Sequence, residues 1–113
     1  MNKENLKILK LNVSDKENSD KYVLKFNEKE IGYSYIFQEA KNNNIYIFIN
    51  QENRSNGFGS FLFGEMLKII KSSKLSHLFF DIEKPNYSAN NIIAKFNGQI
   101  LSEDDKKHWI LKL

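Results

Sequence analysis

The sequence predicts an α+β fold, layered α/β/α, in which a mixed, mostly antiparallel twisted sheet holds a central parallel strand pair and carries helices on both faces. Three observations predict it. Strand-like segments occupy the first half in hairpin order. An all-apolar strand, a glycine-containing loop, an amphipathic helix and a second apolar strand follow one another between Ile45 and Ile82. Two short strands then close the chain. At 113 residues the sequence suits a single domain, 1–113, able to bury a core without covalent staples.

Leu6, Ile8 and Leu9 to Val13 are strand-like, and the polar run Ser14 to Asp20 breaks the pattern. Tyr22 to Phe26 and Ile31 to Phe37, joined by the polar turn Asn27 to Glu30, make a hairpin rich in β-branched and aromatic residues. After the link Glu39 to Asn44, the run Ile45-Tyr46-Ile47-Phe48-Ile49 is apolar on both faces, as a central strand covered on two sides would be. From Gly57 to about Ser73, Phe58, Phe61, Leu62, Met66, Ile69 and Ile70 recur at helical spacing, with Lys68 and Lys71 near the C-terminal end. Leu78 to Ile82 is the next strand, parallel to and beside the first, because a helical crossover joins them. Ser88 is expected to cap a helix through Ile92, Ile93 and Phe96 that Asn97-Gly98 closes. Gln99 to Leu101 and His108 to Leu113 flank the acidic turn Ser102 to Asp105. Phe61, Phe63, Phe79, Phe80 and Trp109 follow these periodicities and are expected in the core.

Hydrophobic residues at 41% and charged residues at 27% exclude a wholly disordered chain. The net charge of +3 is mild and spread over many lysines, which argues against a dense basic arm for nucleic acid. The absence of cysteine excludes disulfides, thiolate nucleophiles and cysteine-held metals. No continuous apolar signal core begins the sequence, and no run approaches the ~20 apolar residues of a membrane helix, so a cytoplasmic protein with no membrane partner is expected. Arg54 is the only arginine, which suits a position where a planar fork of donors matters or a surface site retained by chance.

Between the apolar strand and the long helix lies Gln51-Glu52-Asn53-Arg54-Ser55-Asn56-Gly57-Phe58-Gly59-Ser60. Glycine at 57 and 59 lets backbone amides approach a ligand, and the helix beginning there aims its unpaired N–H groups and positive dipole end at the same spot. A pyrophosphate is the natural occupant; a plain tight turn into a helix is the alternative. The pattern lacks the Gly-Lys-Ser/Thr of the Walker loop and the longer dinucleotide fingerprint.

Arg54-x-x-Gly57-x-Gly59, between a strand and an amphipathic helix, resembles the acetyl-CoA motif of the GNAT superfamily of N-acetyltransferases. A second stretch agrees in order and spacing: Phe80 to Asn86, then Ala89, Ile92, Ile93, Lys95, Asn97 and Gly98. The resemblance covers Ile45 to Gly98. It implies acetyl-CoA as cosubstrate with no metal, a primary amine as acceptor, and a monomer or homodimer. The segment Arg54, Ser55, Asn56, Gly57, Phe58, Gly59 and Ser60 would hold the pyrophosphate, with Arg54 at its edge. Main-chain groups of Phe48, Ile49 and Asn50 would pair with the pantetheine amides as a strand-edge peptide does, and Asn86 would touch the same arm. A non-catalytic acyl-CoA-binding or regulatory module of the same fold is the alternative.

Acetyl transfer needs a neutral amine, a polarised carbonyl and a stabilised thiolate. Glu52, His77, Asp81 and Glu83 are the candidate bases, and spacing singles out none. Many GNAT enzymes carry an acid tyrosine where this sequence has Ile93; Tyr87 is the nearby candidate to replace it, against an ordinary packing or surface role. The family commonly places two helices between its first two strands, whereas only Ser14 to Asp20 lies there in this sequence. An open acceptor cleft is therefore expected, suited to a peptide or protein amine or completed by another subunit.

Overall fold

A computed structural model describes residues 5–11, 19–39, 42–72 and 75–113. Its elements are β1 (Leu6–Lys10), β2 (Ser19–Phe26), β3 (Lys29–Glu39), β4 (Asn42–Ile49), α1 (Phe58–Lys71), β5 (His77–Glu83), α2 (Tyr87–Lys95), β6 (Gln99–Glu103) and β7 (Lys106–Lys112). They divide into two compact units, Met1–Met66 and Leu67–Leu113. Val13, expected to end the first strand, and most of the polar link after it, residues 14–18, lie outside the described residues.

The first unit carries a four-stranded sheet in the order β1-β2-β3-β4, every pair antiparallel. The β2–β3 hairpin is tighter than the four-residue turn expected. Only Asn27 and Glu28 form it, at φ of +51° and +67°, the positive values that a type I′ turn requires at both central positions. A shift of register at Leu24/Lys25 accompanies the turn. One sheet face supplies Tyr22, Leu24, Ser34, Ile45 and Ile49 to the core, all buried. On α1, Phe58, Leu62, Phe63 and Met66 are buried at helical spacing, and the stripe continues into the second unit with Leu67 and Ile70. Full burial of such side chains contributes about 1.5–3 kcal/mol each. The Phe26 and Phe58 rings meet at 5.7 Å, which seats the first turn of the helix on β2.

The opposite face of this sheet is aromatic. Tyr33 stacks on its cross-strand partner Phe48 at 5.2 Å, and Tyr46 is 45% exposed. The run Ile45–Ile49 is therefore less covered than its apolar letters suggested.

The second unit holds a three-stranded antiparallel sheet ordered β5-β7-β6. Leu78 and Phe80 of β5 are buried beside Leu111 and Trp109 of β7, while His77, Phe79 and Asp81 alternate outward. Phe79, expected in the core, is 36% exposed, its ring meeting the edge of His77 at 4.9 Å. Phe61 is half-buried. The α2 cap is Asn86 and not Ser88: the Asn86 side chain accepts from the Ala89 N–H at 3.2 Å. All ladders among the described residues are antiparallel, and the expected parallel pairing of Ile45–Ile49 with Leu78–Ile82 is not among them.

Candidate functional site

The first unit brings Phe48 through Ser60 together as one continuous structure. Antiparallel pairing makes alternate residues of β4 face β3 or the outer edge. Asn50 donates its N–H to Ile31 O at 2.8 Å, so Asn50 and Phe48 turn their main-chain groups toward β3. Ile49 then turns its N–H and C=O away from β3, and the C=O accepts from Arg54 Nε at 2.8 Å. Of the three residues expected to offer main chain to an extended ligand, Ile49 is the one whose N–H turns away from β3.

A short 3-10 turn, Gln51–Asn53, leaves the strand end. Asn53 N donates to Asn50 O at 2.9 Å and Arg54 N to Gln51 O at 3.3 Å. The Arg54 Nε donates to Ile49 O at 2.8 Å, and its guanidinium carbon lies 5.4 Å from the centre of the Phe48 ring. Ser55 follows at φ +67° and Gly57 at φ +81°. Asn56 folds its carboxamide back, donating through Nδ2 to Asn53 O and Arg54 O, both at 3.3 Å. Gly57 O accepts the Phe61 N–H at 3.0 Å and closes the first helical turn.

The amides of Phe58, Gly59 and Ser60 precede that first bond and have no intrahelical acceptor. Among the described residues no side-chain oxygen accepts from them, because the nearest capping candidate, Asn56, is turned the other way. A Cβ built on Gly57 would meet nothing within 4 Å, so the space over the loop is open. Free first-turn amides, a positive helix end and open space beside them form an anion-binding arrangement.

In the second unit, Asn86 spends its side-chain oxygen on the α2 cap. Tyr87 begins that helix 74% exposed. Ile93, where the family's tyrosine would stand, is 3% exposed and packed under Gly98: a Cβ on Gly98 would fall 2.4 Å from Ile93 Cγ2 and 3.2 Å from Trp109. The base candidates are all at the surface. Glu52 sits in the 3-10 turn, Glu83 ends β5, and His77 Nδ1 pairs with Ser76 Oγ at 2.7 Å. Asp81 is bonded at 2.6 Å to His108 Nδ1, its cross-strand partner, whose Nε2 meets Asp104 at 3.0 Å. These two carboxylates raise the His108 pKa above its ordinary value, and Asp104 is held down at about 2 by the Lys106 backbone N–H and by His108.

Two features escaped sequence reasoning. Asn90 is 5% exposed and fully engaged, although its spacing of four from Asn86 on a helix face was a visible signal. The His108 clamp needed the β5–β7 register, which spacing does not disclose.

The fold that holds this loop is that of the GNAT family acetyltransferases. Campylobacter jejuni N-acetyltransferase PseH, solved in complex with acetyl coenzyme A, is 19% identical, with a TM-score of 0.69 over 86% of this chain and 70% of that one. A GNAT family acetyltransferase from Elizabethkingia anophelis with acetyl-CoA bound is 12% identical, with a TM-score of 0.80 over 97% of this chain and 99% of that one. A Bacillus subtilis acetyltransferase in complex with CoA reaches 0.82 at 12% identity, over 96% and 99%. No family model matches the sequence, and no curated protein matches it. No helix among the described residues is long and apolar enough to cross a membrane.

Proposed function

We propose that residues 1–113 form one cytoplasmic acetyltransferase domain that moves the acetyl group of acetyl-CoA to a primary amine. The observation that carries this reading is the conformation at Gly57: φ of +81°, open space above it, and uncapped helix amides immediately after it, in a chain with the GNAT fold. The amides of Phe58, Gly59 and Ser60 would bind the pyrophosphate, and the Ile49 N–H at the edge of β4 would donate to the pantetheine arm. Asn86 is proposed, by the family resemblance, to touch that arm.

Bound acetyl-CoA supplies an activated thioester: the amine nitrogen bonds to its carbonyl carbon, the C–S bond breaks, and the departing thiolate takes up a proton while the amine loses one. Backbone N–H groups of the chain would polarise the carbonyl. Tyr87 is the proposed acid toward sulfur. The few residues between β1 and β2 favour an open acceptor cleft and hence a peptide or protein amine.

The burial of Ile93, at 3% exposure, favours a second reading, an acyl-CoA-binding module that transfers nothing, because no hydroxyl stands at that position. Calorimetric titration with acetyl-CoA tests both readings, alongside a variant combining Arg54→Ala, Gly57→Ala and Gly59→Ala. Binding in the micromolar range that the variant loses is expected. Release of free thiol with a panel of amines then identifies the enzyme; binding without release with any amine identifies the module. No binding to the unmodified chain would overturn both.

A further inference from the structure

Arg54 is placed to hold its own backbone loop. Its Nε–H is already donated to Ile49 O at 2.8 Å, five residues back at the end of β4. Its guanidinium faces the Phe48 ring at 5.4 Å. The two contacts engage different atoms: Nε makes the hydrogen bond, and the guanidinium carbon lies over the ring. A lysine ammonium, a point donor without a plane, reproduces either contact and not both. The main chain of the same residue is anchored as well, Arg54 N to Gln51 O at 3.3 Å and Asn56 Nδ2 to Arg54 O at 3.3 Å. One residue thereby connects the edge strand, the 3-10 turn and the glycine segment. No atom of Arg54 comes within 4 Å of the Cβ position over Gly57.

From this geometry we infer that Arg54 is a positioning residue: it sets the helix amides of Phe58 to Ser60 in register with the Ile49 edge of β4, and it does not bind phosphate with its own charge. The inference rests on the coenzyme reading for its consequence, and on the free protein for its geometry. It also accounts for an arginine here in a chain that otherwise uses lysine.

The test compares the intact chain with Arg54→Lys, Arg54→Ala and Phe48→Leu. Backbone order parameters of Ser55 to Gly59 are measured by NMR in the free proteins, and coenzyme A affinity is measured by titration at several salt concentrations. Both Arg54 variants are expected to weaken coenzyme A by about tenfold, the worth of one structural hydrogen bond, and to lower the loop order parameters. Phe48→Leu should move both readouts the same way by less. The slope of log Kd against log salt should stay that of the unmodified chain, since no charge–phosphate contact is lost. A direct phosphate contact predicts the reverse: Arg54→Lys keeps its affinity and Arg54→Ala flattens the salt slope. That result overturns the inference, as do unchanged order parameters in both Arg54 variants. Should the unmodified chain fail to bind coenzyme A, the coenzyme reading falls, while the order parameters still decide whether Arg54 holds the loop.

Discussion

Trp109 donates its indole N–H to the side-chain oxygen of Asn90 at 2.8 Å, and the same carboxamide donates through Nδ2 to Glu83 O at 3.1 Å and Asn86 O at 3.0 Å. One buried side chain thus connects α2, the end of β5 and β7, with Asn90 at 5% and Trp109 at 6% exposure. Polar groups so buried are tolerable only while every one is bonded. Asn90→Leu would leave an indole N–H without an acceptor and two carbonyls without this donor, a loss of about 2–4 kcal/mol. Urea unfolding followed by the fluorescence of Trp109, the sole tryptophan, measures it. A loss within about 0.5 kcal/mol would remove the carboxamide from the account.

Gly57 and Gly98 should respond to alanine for opposite reasons. At Gly57 the added methyl meets nothing, so only the left-handed φ of +81° is costly, about 1–2 kcal/mol, and coenzyme binding should fall with it. At Gly98 the methyl would strike Ile93 Cγ2 at 2.4 Å and Ile93 O at 2.9 Å. Overpacking there should cost about 1–3 kcal/mol, through displacement of Ile93 and Trp109. Near-ultraviolet circular dichroism of Trp109 separates the two, changing for Gly98→Ala and holding for Gly57→Ala.

The two carboxylates around His108 favour its protonated form in the folded chain. A folded pKa raised above 6.5 gives stability that is present in full below 6.5 and is lost as pH rises through the folded value. Asp104 acts at the other end: with a folded pKa of about 2 against 3.8, its contribution is present above 3.8 and fades as pH falls toward 2. His108→Gln should therefore flatten the fall in thermal midpoint as pH rises above 6.5, and Asp104→Asn should flatten the acid limb. Parallel profiles for the unmodified and substituted chains would show that the clamp does not couple to folding.

Tyr87→Phe offers a clean test of acid catalysis, because at 74% exposure the residue supports little packing. Stability should change by less than about 0.5 kcal/mol. Under the proposed role, turnover falls while acetyl-CoA affinity holds. Unchanged turnover would remove Tyr87 from the mechanism.

The fold was legible in the sequence wherever one face of an element is apolar. Tyr22 to Phe26, the α1 stripe and Leu78 to Ile82 announced themselves through periods of 2 and 3.6, because burial selects apolar side chains at the spacing of the backbone. The cap of α2 was misassigned to Ser88 because Asn86 and Ser88 are both competent acceptors, and only helix geometry decides which oxygen faces an N–H. Phe79 was misassigned to the core because a run of apolar letters conceals alternation; its pairing with Ile110 in the β5–β7 ladder turns it outward.

By itself the sequence determined the order of strands and helices and the glycine loop at the head of α1, since these depend on residues near one another in the chain. Only the tertiary structure decided that Arg54 reaches back to Ile49, that Ile49 and not its neighbours faces the β4 edge, and that Asn90 meets Trp109. Those contacts depend on strand register and side-chain direction, which many arrangements of the same local elements would leave different.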